Sequence, residues 1–128
     1  VFKKRGFLFA CVLLSIVSKG VAETATPIPQ LSLEGTGRVC GGHLEIKKDR
    51  LRWTNPFNTC LSQFQVLSQN GMDWILKVER STNCKFAAIE IKKTDPTDSQ
   101  SFWSVSGFET EKMVGKEPSQ AGLSCLMY

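Results

Sequence analysis

The stretch Leu44-Glu45-Ile46-Lys47-Lys48-Asp49-Arg50-Leu51-Arg52-Trp53 carries the period that decides the fold. Leu44 and Ile46 alternate with His43, Glu45 and Lys47, and Leu51 and Trp53 alternate with Arg50 and Arg52. Side chains two apart share one face of a strand. A two-residue turn at Lys48-Asp49 sets Ile46 opposite Leu51 and Leu44 opposite Trp53. All four apolar side chains then lie on one face, which predicts a β-hairpin.

The same period continues on both sides. Gln69-Asn70-Gly71 signals a second hairpin. A three-residue loop, with Gly71 as its left-handed residue, pairs Val66 with Trp74 and Phe64 with Leu76 and keeps the apolar face continuous. Met72 to Arg80 reads as a strand with Trp74, Leu76 and Val78 inward. Cys84 to Lys93 reads as the next, with Ala87, Ile89 and Ile91 on one face and Phe86 and Ala88 on the other. Thr94 to Gln100 has turn chemistry throughout, Phe102 to Thr110 resumes strand composition, and Leu123 to Tyr128 ends the pattern. Residues 111 to 122 suit a loop, with room for one short helix over 109–121. About seven short strands joined by hairpin signals predict an all-β fold, a small antiparallel β-barrel or sandwich stapled by two disulfides.

One internal echo stands out: Leu44-Glu45-Ile46-Lys47-Lys48 returns as Ile89-Glu90-Ile91-Lys92-Lys93. Two related halves would explain it, but alternating strand residues repeat cheaply, and that is the preferred explanation.

The N-terminus has the order of a secretory signal. Lys3, Lys4 and Arg5 form a basic region, Gly6 to Val17 is apolar, and Gly20 and Ala22 occupy the small-residue positions before a cut at Glu23. The apolar run falls short of the roughly 20 residues that span a bilayer. The expected organisation is a cleaved signal over 1–22, an extended leader over 23–32 that contains Pro27 and Pro29, and one β domain over 33–128. Val1 is what a GTG start codon read literally gives, and also what a fragment end shows. Cys11 is not read as a lipidation site, because the apolar run continues through Val17 and Phe9 is too bulky for the motif. No second run of membrane length follows, so no stable membrane span is expected after cleavage.

Removing residues 1–22 leaves Cys40, Cys60, Cys84 and Cys125. An even count in an exported chain reads as two disulfides, each contributing about 3 to 4.5 kcal/mol in the chain-entropy account. Zinc is disfavoured, since no two of these cysteines are closely spaced and His43 is the one histidine. Pairing Cys60 with Cys84 brackets the Asn70-Gly71 hairpin and leaves Cys40 with Cys125. Cys40–Cys60 with Cys84–Cys125 is a close alternative.

The net charge of +4 comes wholly from Lys3, Lys4, Arg5 and Lys19, and residues 23–128 are balanced at 12 basic and 12 acidic. The basic whole-chain balance therefore does not indicate nucleic acid, and no nucleic-acid partner is expected. Residues 38–93 hold ten Lys or Arg against five acids and residues 94–128 hold two against five, so opposite faces can differ in sign.

Catalytic chemistry has little support. A serine or cysteine nucleophile needs an adjacent base, and His43 lies alone on the outward face of its strand. No P-loop, G-x-S-x-G or H-E-x-x-H pattern occurs, so no catalytic residue, metal ligand or cofactor is assigned. The candidate interaction residues are Lys47, Lys48, Arg50 and Arg52 at the first hairpin, and Trp103 as an aromatic anchor on the outside of its strand. The plan of a signal followed by a cysteine-stapled β domain is similar to that of many bacterial periplasmic proteins, inhibitors of host lysozymes among them. Ser106-Gly107 resembles a Ser-Gly inhibitory loop in two residues and lacks the Tyr that follows, so no residue role is carried over. The sequence thus points to an exported, non-enzymatic module that binds a macromolecule, with a small-ligand or lipid-binding barrel as the alternative.

Overall fold

The computed structural model describes residues 28–114 and 121–128. The segment read as a signal over 1–22, Cys11 with it, and half of the segment read as a leader lie outside the described residues. Eight strands form one closed antiparallel barrel in sequential order: β1 (Leu31–Gly35), β2 (Gly42–Lys47), β3 (Arg50–Thr54), β4 (Thr59–Asn70), β5 (Asp73–Val78), β6 (Ala88–Lys93), β7 (Trp103–Phe108) and β8 (Leu123–Met127). A single helical turn, α1 (Gly37–Cys40), links β1 to β2. β8 returns to β1 through the Gly35–Met127 pair, and Glu34 and Tyr128 exchange backbone hydrogen bonds of 2.8 and 3.0 Å. Closure leaves few strand edges unpaired. The strand beyond the seven expected is β1, whose Leu31 and Ser32 fall inside the segment read as leader.

The opening stretch folds as its alternation predicts. Leu44 pairs with Trp53 and Ile46 with Leu51, and all four are fully buried. Lys48 takes the left-handed conformation (φ 54°) that lets two residues reverse the chain.

The second hairpin differs from expectation in its turn. Asn70 pairs with Asp73, so the loop is the two residues Gly71 and Met72, and Gly71 supplies the positive φ of 61°. Val66 meets Leu76 instead of Trp74, and Phe64 meets Val78 instead of Leu76. The register shifts between Val66 and Ser68, where Leu67 bulges out. A two-residue turn by itself would carry the apolar set of β4 to the wrong face. The one extra residue of the bulge restores it.

The interior is filled with side chains. Trp53 stacks on Phe86 with centroids 5.5 Å apart, and Trp74 lies 6.1 Å from Trp103. Leu44, Ile46, Leu51, Leu76, Ile89, Ile91, Val105 and Met127 fill the space around them, each at 0% exposure. Phe86 is inward, not on the face opposite Ile89 and Ile91. Regular pairing starts only at Ala88, so alternation counted back from β6 does not hold at residue 86. Its ring rests on Gly107, where an added Cβ would come within 2.7 Å of ring carbons, so only glycine fits there.

Ala88 and Phe108 pair directly on the outside of the wall and are also buried. The chain after β7 forms a short 3-10 turn (Glu111–Met113), and Glu111 pairs with Lys77 at 3.4 Å, which brings this connection back over that part of the sheet. Disulfides join Cys40 to Cys125 and Cys60 to Cys84, the pairing that bracketing favoured. The first ties α1 to β8 and the second ties the start of β4 to the β5–β6 connection. Both are bonds of an oxidising compartment, compatible with a secreted protein.

Candidate interaction surface

Of the five residues singled out for contact, four lie where the hairpin predicts. Lys47, Lys48, Arg50 and Arg52 are exposed on the tip and outer face of β2–β3. Lys47 pairs with Arg50 across the ladder, and Arg52 sits between Glu45 on β2 and the exposed Leu61 on β4. Lys47 Nζ bonds Glu45 Oε1 at 3.1 Å; among the described residues Lys48, Arg50 and Arg52 have no carboxylate partner within ion-pair distance. Exposed charges of this kind are screened and add little stability. They set the sign of the local field, positive on this face.

Trp103 requires a correction. It points into the barrel at 8% exposure, packed against Trp74 and under the Lys93 ammonium, whose Nζ lies 4.9 Å from the ring centre. Trp103, Val105 and Gly107 form the inward set of β7, and Phe102, Ser104 and Ser106 form the outward set. Serines next to an apolar alternation mark the solvent side, and choosing Trp103 as the outward residue inverts the strand. Ser106-Gly107 is likewise no loop. It lies within β7, buried, with Ser106 Oγ 2.8 Å from Ser124 Oγ.

The exposed aromatic on this segment is Phe102. It meets Tyr128 edge to face at 6.3 Å, and the two are 50% and 60% exposed. Leu126, 57% exposed, lies across from Ser104 one step further along. Three large apolar side chains thus stand together on the outside at this end of β7–β8, Leu126 within β8 and Phe102 and Tyr128 directly adjoining the strands. Aromatic groups of this kind are enriched where proteins anchor to one another.

On the adjoining strand Tyr128 pairs with Glu34, and Glu34 pairs in turn with His43 on β2. His43 is outward, as its strand position predicts, yet it is not alone. Its Nδ1 lies 2.7 Å from Glu34 Oε1 and its Nε2 lies 3.3 Å from Ser32 Oγ. The sequence hides this array because its three members come from two strands, one of them β1. The alternation of Ser32 and Glu34 was the available signal.

Two shallow depressions lie elsewhere, outside β3–β5. One, of about 230 Å³, is lined by Arg50, Leu61, Ser62, Gln63, Glu79 and Ser81. The other, of about 420 Å³, runs past Asp49, Gln65 and Lys77. Among the described residues no three His, Cys, Asp or Glu side chains group as metal ligands, and no helix is long and apolar enough to cross a membrane. In the β6–β7 loop, Thr97 donates its hydroxyl (2.7 Å) and its N–H (2.9 Å) to Asp95 Oδ1, and these bonds hold the Asp95 carboxyl below its ordinary range.

No protein-family model, no curated protein and no solved structure matches the chain.

Proposed function

We propose that this protein is an exported, periplasmic, non-enzymatic protein-binding module of inhibitor-like build, which docks a macromolecular partner on the outer face of β7–β8. The observation that carries the reading is the cluster of Phe102, Leu126 and Tyr128, exposed together on a wall whose interior is already filled. A barrel that carries a small apolar ligand keeps room inside for it. Here four aromatic rings occupy the interior, and the depressions outside are shallow and open to solvent. The basic tip at Lys47, Lys48, Arg50 and Arg52 adds steering for a partner with acidic groups on its rim.

Native mass spectrometry of the protein purified from an oxidising periplasm separates this reading from the carrier alternative. A bare, disulfide-closed chain supports docking. An adduct released on denaturation identifies a cargo and overturns it. Photo-crosslinking then locates the surface: a crosslinker at position 102 or 126 should capture protein partners, and one at the exposed Thr97 should not. Equal capture at all three removes the assignment to β7–β8.

A further inference from the structure

Ser32, His43 and Glu34 are linked in the order nucleophile, base and orienting acid. Glu34 as a carboxylate only accepts hydrogen bonds, so the 2.7 Å contact fixes the proton of the neutral imidazole on Nδ1. Nε2 is left with a lone pair, and the atom 3.3 Å from it is the Ser32 hydroxyl oxygen, which therefore donates. This is the arrangement that raises the nucleophilicity of a serine. The register holds it in place: Glu34 and His43 are direct cross-strand partners, and Ser32 is two residues along β1 on the same outer face.

The exposed Tyr128 ring stands on the strand beside Glu34, with Phe102 beyond it, and offers a surface for an aryl group.

We infer that Ser32 is a site of O-acylation by activated esters, with His43 as general base and Glu34 as positioning residue. This goes beyond the docking reading and does not depend on it. In the step, Ser32 Oγ forms a bond to the acyl carbon and the bond from that carbon to the aryloxide breaks. His43 Nε2 takes the hydroxyl proton and releases it to the leaving aryloxide, and no oxidant or reductant enters. A positioned general base contributes roughly 10²- to 10⁴-fold, and the solvent-exposed setting of Ser32 places the expectation at the lower end. His43 is the one histidine of the chain, and among the described residues Ser32 is the serine whose hydroxyl lies at its ring.

The test treats the full protein with p-nitrophenyl acetate at mildly alkaline pH and maps acetyl groups by peptide mass spectrometry. Ser32 should be acetylated about 100-fold faster than the exposed Ser68 and Ser81. His43→Gln should bring Ser32 down to their level, and Glu34→Gln should slow it about tenfold. Nitrogen NMR of the imidazole should show the Nδ1–H form in the parent protein and a mixture of tautomers in Glu34→Gln, which distinguishes positioning from a general effect on folding. Acetylation of Ser32 at the rate of other serines, or a rate indifferent to His43→Gln, overturns the proposal. So does release of p-nitrophenol that persists unchanged in Ser32→Ala, since His43 would then be acting alone.

Discussion

Two five-residue stretches of this barrel begin alike and end apart. Leu44-Glu45-Ile46-Lys47-Lys48 runs along β2, and Ile89-Glu90-Ile91-Lys92-Lys93 runs along β6. In both, the first and third residues are fully buried, the glutamate is half-buried and the fourth residue, a lysine, is exposed. The fifth residues part company. Lys48 leaves the ladder at a two-residue turn and is solvated. Lys93 stays in the ladder opposite Trp103, turns inward, and donates from Nζ to the Ser99 carbonyl at 3.2 Å. Alternation assigns a face to each position. The connection that follows determines how far the alternation runs.

The largest expected effect tests the shared part of the pattern. Ile46→Ala and Ile91→Ala should each destabilise by about 2–5 kcal/mol, because each empties a fully buried site in a close-packed interior. Urea unfolding with the disulfides intact measures both. A heavy cost at one site and almost none at the other would break the equivalence of the two strands.

A smaller effect tests the divergent position. Lys93→Ala removes a cation held over an indole and a hydrogen bond that pins the β6–β7 loop, and should cost about 1–2 kcal/mol. Lys48→Gly should instead stabilise by about 0.5–1 kcal/mol, since glycine takes the left-handed conformation without the strain of a Cβ. Thermal unfolding reads opposite signs for the two lysines. The same sign at both would mean that the turn does not separate them.

The smallest effect lies in the longer connection. Asp95 is held below its ordinary value of 3.8 chiefly by the Thr97 hydroxyl, then by the Thr97 N–H. A carboxyl whose folded pKa is depressed stabilises the folded loop above its unfolded pKa, and that contribution is lost as pH falls through the lower folded value. NMR titration of Asp95 should therefore give a midpoint below 3.8, and Thr97→Ala should raise it. No change in Thr97→Ala would show that the hydroxyl is not the cause.

Much of the architecture was legible in local pattern. The first hairpin, the inward set of β5 and the all-β class follow from period two, because a strand with one buried face must alternate. The misreadings cluster where alternation is interrupted or ambiguous. The β4–β5 turn differs because one bulged residue at Leu67 is invisible in a hydrophobic pattern. Phe86 differs because it precedes the ladder. Trp103 differs because two aromatic residues stand side by side, and a slip of one residue exchanges them. The basic tip was readable as a hairpin end, but the Phe102–Leu126–Tyr128 face was not, since it needs β8 laid beside β7.

By itself the sequence determined the strand period, the cysteine count and the burial of most large apolar side chains, since each follows from neighbours close in the chain. The tertiary structure alone decided that the sheet closes into an eight-stranded barrel rather than opening into a sandwich, and that Cys40 reaches Cys125. It alone placed His43 between Ser32 and Glu34. These are matters of register and shear between strands, fixed by how all eight pack around one shared interior, and no local stretch of sequence contains them.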